Sequence, residues 1–515
     1  MTATRAVPTS TQPAGGFHRP TIWAAAGAVM IAQMCLTVLA PLNATIQAQF
    51  GASAGQLTWL AAAVFAPTAI LELSFGVLGD LFGRKRLMII GLSFVITGSL
   101  LATLAWSLPA LAVALVLQGL GAAVLLPSTL ASAAEFSPAP ADRATALSRW
   151  ALAISLGAAL SPLLAGVMAQ TRGLHAAFLP ILIGSVLALI GVIRWARDSR
   201  SPQRRSLDWP GQILIMVGLL AFIFAVIHGA EAGFDRPVVI AALLVALVAL
   251  PLFVVVELRS ANPMFQVRLL KIPAFTAAAA AGLLGMLGFL GTAYAMAIKL
   301  GPIAQAAPLT VALPFVLIQL VPLAVARWLP RLLQRVSPRI LLVAGLVTLA
   351  VGQVWLAALP DQTTALLPMA PPILLLGVGF IVMFTSLTAA AINSVSHDQI
   401  GMASGATSLV RETGQTLGAA VVAAIALGKA SSLLSADLAS SGLPAEGLAA
   451  AEQVLSAGGP LALATAALPE SVRSVVAPLA INALERGFDL GLLAMAGCSL
   501  LAALIVLVVM RRPAR

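Results

Sequence analysis

Charged side chains are scarce in this 515-residue chain, because Asp, Glu, Lys and Arg make up only 9% of it, against 60% hydrophobic residues. Soluble globular domains carry about 25% charged residues. The mean hydropathy of +1.03 therefore excludes a soluble protein and indicates a chain that faces lipid. Cysteine is almost absent too. Because Cys35 and Cys498 both fall inside apolar stretches, no disulfide framework is expected.

Motifs for catalysis and for phosphate binding are also missing. The sequence contains no P-loop, so ATP is not expected to be the direct energy source. His228 and Glu231 lie three residues apart, but two possible ligands without a third are more typical of surface residues than of a metal site. We therefore expect a protein that is not an enzyme and that needs no cofactor or metal.

Apolar windows long enough to cross a bilayer as helices, about 20 residues each, recur along nearly the whole chain. They predict an all-α membrane protein with fourteen transmembrane helices. The predicted spans are 21–41, 57–79, 87–106, 111–130, 147–170, 176–195, 211–228, 238–257, 274–298, 309–328, 340–358, 367–393, 405–427 and 488–510.

The placement of the basic residues tests this count independently, because Lys and Arg of short loops stay on the cytoplasmic side. With both termini inside, most of the 29 Lys and Arg fall in cytoplasmic loops and tails, and the run "RWARDSRSPQRR" is the densest. The net charge of +11 thus needs no nucleic-acid partner. The outer connections keep only Arg172, Arg236, Lys299, Lys429, Arg473 and Arg486. We expect a multi-pass protein of the cell membrane.

One outer connection, 429–487, is much longer than the rest and is rich in Ala, Ser, Gly and Pro. Loops of that length are usually functional or mobile. Short amphipathic pieces within it favour a partly helical cap on the outer surface over a recognition domain.

Motifs in four spans resemble those of the major facilitator superfamily. The loop "GVLGDLFGRKR" is similar to the family's signature loop between the second and third helices, and "LGAALSPLLAG" resembles the antiporter motif of its drug exporters. The segments "LQGLGAA" and "GMASGATSLVRETGQTLGAA" resemble the fourth and thirteenth spans of the fourteen-span drug:proton antiporters. The matching positions are Gly79, Asp80, Gly83, Arg84 and Lys85 in the loop, and Gly157, Pro162 and Gly166 in the fifth span.

The resemblance implies two six-helix bundles that rock around a central cavity by alternating access. The chain then divides into a cytoplasmic tail (1–20), a first bundle (21–195), a basic linker (196–210), an inserted helix pair (211–257) and a second bundle (274–510). In the family, the aspartate of the signature loop, here Asp80, braces the loop against the start of the thirteenth span. Glycines at helical spacing in the fifth span let helices approach closely in lipid.

Glu72 is a carboxylate inside the second span, about 12 Å deeper than Asp80 along a helix that rises 1.5 Å per residue. Arg411 lies at a comparable depth in the thirteenth span, which faces the second span in this fold. We therefore hypothesise that Glu72 and Arg411 form, or alternate in, an ion pair between the bundles, with Glu412 turned about 100° away. Ionisable groups inside spans are candidates for a functional role by default.

Two departures from the family concern proton coupling. Cys35 stands where most fourteen-span antiporters keep a membrane-embedded aspartate, and Leu115 replaces the usual arginine of the fourth span. Because both the acid and the arginine are replaced, neither is left as an unpaired charge in the low dielectric of the membrane interior. Glu72 and Glu412 are then the remaining candidates for the proton carrier.

The spans offer few polar residues for a cavity, which favours a hydrophobic or amphipathic solute. The leading interpretation is a monomeric exporter of such drugs or metabolites, driven by protons. A lipid flippase or an uncoupled facilitator is the alternative, and a sensor that no longer transports is a third. The cavity-lining candidates are Gln33, Asn43, Gln118, Gln319, Gln353 and Asn393.

Overall fold

The computed structural model describes residues 17–510 except 138, 201–207, 261–262, 264, 326–327, 329–330, 333–334, 396–399 and 467. Regular structure in this part of the chain is helical, without strands. Among the described residues, fourteen helices are long and apolar enough to cross a membrane, which confirms the predicted number of spans and the predicted fold class.

We label these fourteen helices α1 to α14 in chain order. The first six form one bundle, α7 and α8 are the inserted pair, and the last six form the second bundle. Their bounds are α1 Arg19–Thr37, α2 Ala54–Phe82, α3 Arg84–Thr103, α4 Leu108–Glu135, α5 Pro140–Arg172, α6 Leu179–Trp195, α7 Trp209–Ala232, α8 Pro237–Arg259, α9 Pro273–Ile298, α10 Pro308–Val325, α11 Pro338–Ala357, α12 Leu366–Asn393, α13 Ile400–Ala439 and α14 Glu470–Val509.

Glycines allow the helices of each bundle to pack backbone against backbone. A Cβ atom at Gly119 of α4 would lie 2.4 Å from the carbonyl oxygen of Val64 in α2, and one at Gly414 of α13 would lie 2.2 Å from that of Leu283 in α9. Lipid supplies no hydrophobic force between helices, so close packing of small residues holds them together instead.

Two helix pairs join the bundles, α2 with α13 and α5 with α10. The inserted helix α7 packs against both α2 and α13, whereas α8 packs mainly against α7. We call the side that carries Arg172 and Lys299 the outer side, after the charge prediction. On that side the bundles touch through Gly301 and Ala44, since a Cβ at Gly301 would lie 3.5 Å from the Ala44 nitrogen.

The long connection 429–487 is mostly helical. α13 continues to Ala439, a separate helix spans Ala445–Thr465, and α14 begins at Glu470. Hydropathy windows end where charged residues begin, but helical hydrogen bonding in Ala-rich segments continues past the apolar core. The helix Ala445–Thr465 is kinked at Gly459, which has a φ of 73°.

Candidate coupling site and gating motifs

One face of α2 lies along the interface between the bundles. Thr58, Phe65 and Glu72 are spaced seven residues apart, or about two turns, so they share this face. The Thr58 hydroxyl lies 2.8 Å from the hydroxyl of Tyr294 in α9. Lower down, Thr416 of α13 donates a hydrogen bond to the Phe65 carbonyl at 3.3 Å. Glu72 continues this line away from the outer side.

Glu72 sits where α2 and α13 are in contact. A Cβ atom built at Gly405 of α13 would lie 3.1 Å from the Cδ2 atom of Leu73, the residue that follows Glu72. The Oε2 atom of Glu72 is buried and accepts no hydrogen bond from the described residues. Its carboxylate interacts electrostatically with Glu412 and with Arg411. The helix packing thus brings together the three ionisable residues singled out in the spans.

Arg411 pairs with its neighbour Glu412 in this conformation. Its Nη2 and Nε atoms lie 3.1 and 3.3 Å from Oε1 of Glu412, and Gln415 donates to the same oxygen at 2.9 Å. Adjacent helical residues point in different directions, but the long arginine side chain folds back far enough to reach. The guanidinium therefore does not pair with Glu72 here, but with the neighbouring Glu412. A Glu72–Arg411 pair stays a prediction for another conformation.

The Arg411 guanidinium also contacts an aromatic face that the sequence pattern did not predict. It lies 5.0 Å from the ring centroid of Phe384. The Phe384 ring is tilted against Phe380 at 5.6 Å, and Phe380 stacks on Phe289 of α9 at 4.4 Å. The four-residue spacing of Phe380 and Phe384 was the only signal in the sequence, and such spacing is also common in cores.

The signature loop between α2 and α3 is tightened by ion pairs and a glycine. Arg84 pairs with Asp80 at 2.9 Å and with Glu135 of α4 at 3.5 Å. Gly83 has a φ of 106°, which an L side chain rarely adopts. A Cβ there would also lie 2.6 Å from the carboxylate oxygens of Asp198.

The same loop is tied to the end of α6. The Lys85 amide donates to Asp198 at 3.1 Å, and the Lys85 ammonium donates to the Ile193 carbonyl at 2.8 Å. The loop thus closes onto its own bundle. The predicted contact of Asp80 with the start of the thirteenth span cannot be compared, because side chains 396–402 lie outside the described residues.

The small residues of the fifth span serve two different neighbours. A Cβ at Gly157 would lie 2.4 Å from the Met30 carbonyl oxygen of α1, and the Ser161 hydroxyl donates to the Met34 carbonyl at 2.7 Å. Pro162 lies one residue further, inside the same helix. Gly166 instead faces the second bundle, since its Cβ would lie 2.9 Å from the Pro308 carbonyl oxygen of α10.

Two of the glutamines predicted to line a cavity are fully buried within a bundle. Gln118 donates to the Ser99 hydroxyl at 3.0 Å. Gln353 donates to Thr292 and accepts from Ser499, both at 3.0 Å. Both glutamines have no exposed surface, so no solute reaches them in this conformation. They join helices to one another, as buried polar side chains in lipid often do.

The other polar candidates are distributed along the interior. Gln33 and Gln319 are half-buried and Asn393 is exposed, whereas Asn43 is buried in the short outer helix Asn43–Phe50. Within the described part of the chain, no hydrogen bond links any of these candidates to Glu72, Arg411 or Glu412. Cys35 and Leu115, at the family's usual acid and arginine positions, are completely buried, which suits their apolar character.

A second ion cluster lies at the outer end of the second bundle. Lys299 opens a π-helical turn after α9 and pairs with Glu485, at 2.8 Å, and with Asp489 of α14. Oxygen atoms of Asp361, Glu485 and Asp489 lie within 4.8 Å of one another, a spacing that a metal ion could use. The Lys299 ammonium already supplies a positive charge to two of these carboxylates.

Two helical bundles joined face to face, with ionisable residues at the seam and small residues at the helix crossings, define the class of membrane transporters. The sequence profile described as Major Facilitator Superfamily matches residues 25–419. The chain belongs to this family, which confirms the resemblance seen in the motifs.

Named relatives come from mycobacteria and streptomycetes. The multidrug resistance protein Stp of Mycobacterium tuberculosis is 29% identical over 380 residues, covering 74% of this chain and 70% of Stp. The probable actinorhodin transporter of Streptomyces coelicolor is 28% identical over 425 residues, covering 79% and 72%. The drug efflux pump JefA of Mycobacterium tuberculosis is 33% identical over a shorter stretch of 238 residues, covering 45% and 46%.

Solved transporter structures share the fold at low identity. A POT family transporter in complex with 5-aminolevulinic acid superposes with a TM-score of 0.64 at 12% identity, covering 95% of each chain. A bacterial homologue of the human lysosomal transporter Spinster, inward-facing and unoccupied, gives 0.63 at 14% identity, covering 98% of this chain and all of the other. At such identities the likeness concerns the fold alone.

Proposed function

We propose that this protein exports hydrophobic or amphipathic solutes, among them lipophilic cations, from the cell by alternating access, and that proton influx through the Glu72 site drives the export. Membership of the family supports transport of small molecules. Relatives named for multidrug resistance and drug efflux support export. The proposal places the protein in the cell membrane as a monomer with both termini cytoplasmic.

The observation that carries the proposal is the composition of the charge cluster at the seam. Two carboxylates, Glu72 and Glu412, face one guanidinium, Arg411. With both carboxylates ionised the cluster has a net charge of −1, and one bound proton makes it neutral. An unpaired charge inside a bilayer costs at least about 2.5–3.5 kcal/mol. The closed seam therefore favours the neutral cluster, which holds one proton.

Rocking of the bundles changes this balance. When α2 separates from α13, water reaches the Glu72 carboxylate and stabilises its ionised form. Arg411 can then exchange Glu412 for Glu72 as its partner, because both carboxylates interact with it. One proton is bound on one side of the membrane and released on the other, which is the requirement for coupling.

The aromatic face connects the charge cluster to a solute. Phe384 carries the Arg411 guanidinium on its ring, and Phe380 and Phe289 extend the apolar surface. A planar solute stacked on this face gains aromatic contacts, and a cationic one competes with Arg411 for Phe384. A solute that displaces Arg411 would change the guanidinium's contact with the two carboxylates.

Efflux of a fluorescent lipophilic cation from a pump-deficient bacterium, measured in everted vesicles with and without a pH gradient, tests the proposal. The variants are Glu72→Gln and, as a matched control, Glu470→Gln, which makes the same charge change at an exposed residue at the start of α14.

We expect gradient-driven transport by the native protein and by Glu470→Gln, and none by Glu72→Gln at equal expression. Transport at the same rate with and without the pH gradient would contradict proton coupling and indicate a facilitator instead. Absence of transport by the native protein would direct the search to lipid substrates.

A further inference from the structure

The inserted helix α7 crosses the seam between the bundles beside the Glu72 site. Its buried side chains Ile215, Leu219, Ile223 and Ile227 are spaced four residues apart and form one stripe. This stripe belongs to a single apolar cluster that includes Ala62, Ala66 and Ile70 of α2 and Ala403, Ala406 and Leu409 of α13. α7 thus contacts both partners of the helix pair that must separate during transport.

The contacts of α7 with α2 are specific. Gln212 is buried, and its Nε2 atom donates to the Ile70 carbonyl of α2 at 2.7 Å. Its Oε1 atom accepts a hydrogen bond from the Ser74 hydroxyl. One glutamine side chain therefore binds α2 at two points, one turn apart, that lie on either side of Glu72 in the sequence.

A second contact fixes the outer part of α7 to the same helix. The rings of Phe224 in α7 and Trp59 in α2 lie 5.9 Å apart in a tilted arrangement. Gln212 and Phe224 are twelve residues apart, about 18 Å along a helix. Two anchors at this separation hold α7 along most of the membrane-spanning length of α2.

The contacts of α7 with α13 differ in kind. Among the described residues they are apolar. The α13 side of the shared cluster consists of Ala403, Ala406, Leu409 and Ala420, with Val410 and Leu417 packed against it. An apolar surface of alanine, leucine and valine side chains supplies no directional bond that resists sliding, whereas breaking the Gln212 bonds would leave buried polar groups unsatisfied. Movement of α7 along α2 is therefore resisted more strongly than movement of α7 along α13.

We propose that Gln212 is a positioning residue for Glu72, which fastens the inserted helix pair to the first bundle, so that α7 moves with α2 and slides over α13. By holding Ile70 and Ser74, it fixes the rotation and height of the α2 turn that presents Glu72 to Arg411 and Glu412. This inference rests on the proposed role of Glu72 in coupling, but the movement of α7 can be measured without it.

Distances between spin labels test the movement. The native cysteines are replaced (Cys35→Ala, Cys498→Ala), and labels are placed in pairs at three exposed positions: Leu220→Cys in α7, Ile190→Cys in α6 and Val351→Cys in α11. Distances are recorded at acidic and neutral pH, with and without tetraphenylphosphonium. We expect the α7-to-α6 distance to stay constant while the α7-to-α11 distance follows the change between the bundles.

An α7-to-α6 distance that changes as much as the α7-to-α11 distance would overturn the inference. A constant α6-to-α11 distance would instead contradict alternating access, and hence the proposed function. In that case the variant Gln212→Ala still tests whether Gln212 fastens α7 to α2. We expect this variant to broaden the distribution of α7-to-α6 distances, and an unchanged width would overturn the inference.

Transport kinetics test the positioning role. We expect Gln212→Ala to lower the maximal rate about tenfold and to shift the pH profile, with little change in KM for the solute. Ser74→Ala, which leaves the bond to Ile70, should give a smaller effect in the same direction. The control is Gln56→Ala, which removes a glutamine that caps the outer end of α2. A pH profile for Gln212→Ala that matches that of Gln56→Ala would overturn the positioning role.

Discussion

The two glycines of the fifth span should have separable effects, because Gly157 contacts its own bundle and Gly166 contacts the other. The perturbation is alanine at each position. An ordinary van der Waals contact of a Cβ atom begins at 3.4 Å. The Cβ of an alanine at position 157 would lie only 2.4 Å from the Met30 carbonyl oxygen, and that of an alanine at position 166 only 2.9 Å from the Pro308 carbonyl oxygen. Alanine must therefore part α5 from α1 by about 1 Å, and α5 from α10 by about half as much.

The two alanine substitutions destabilise different conformational states of the protein. Overpacking of this kind costs typically about 1–3 kcal/mol. At Gly157 the cost applies to every state in which the first bundle is folded, so the protein loses stability. At Gly166 the cost applies only while the outer ends of the bundles are in contact. A penalty of about 1.4 kcal/mol there shifts the balance between the closed and open outer side about tenfold.

Two assays separate these outcomes. Thermal unfolding in detergent should show lower stability for Gly157→Ala and a smaller loss for Gly166→Ala. Distances between labels across the outer side should show a larger open population for Gly166→Ala and an unchanged one for Gly157→Ala. An unchanged population for Gly166→Ala, or the same population shift for both variants, would refute the assignment of the two glycines to different contacts.

Three further predictions concern other contacts. Lys299→Met leaves the fully buried Glu485 without its cation. We expect the free energy of unfolding to fall by about 3–5 kcal/mol, measured by thermal or denaturant unfolding, and to be largely restored when Glu485→Gln is added. Tyr294→Phe removes the hydroxyl that meets Thr58 across the seam and should weaken outer closure by about 0.5–1.5 kcal/mol, read from the same label distances, while Tyr294→Leu tests the ring. Gly83→Ala strains a backbone with a φ of 106° and collides with Asp198. It should cost about 1–3 kcal/mol and reduce transport, and Asp198→Gly in addition should relieve the collision but not the strain.

The features that sequence could predict are those set by local pattern. Apolar windows fix the number of spans, because the bilayer sets their length. The turn at Gly83 was also predictable, since clustered glycine, aspartate and basic residues favour a tight loop. Glu72 stood out because a carboxylate inside a span is costly and therefore rare.

The features that sequence missed depend on side-chain orientation or distant partners. Whether Arg411 reaches Glu412 or Glu72 depends on a rotamer of one long side chain. Gln118 and Gln353 looked available to a solute because polarity alone does not distinguish a cavity from a buried contact between helices. The aromatic face needs Phe289 and Phe380, which lie far apart in the chain and meet only after the bundle has folded.

Proton release on solute binding tests the central claim most directly, because it requires neither a membrane nor a gradient. Purified protein in weakly buffered detergent is mixed with tetraphenylphosphonium, and the change in pH is measured for the native chain, Glu72→Gln and the control Glu470→Gln. The account predicts release of about one proton per protein for the native chain and the control, and none for Glu72→Gln. Equal release by Glu72→Gln would contradict it, because the proton would then come from another group.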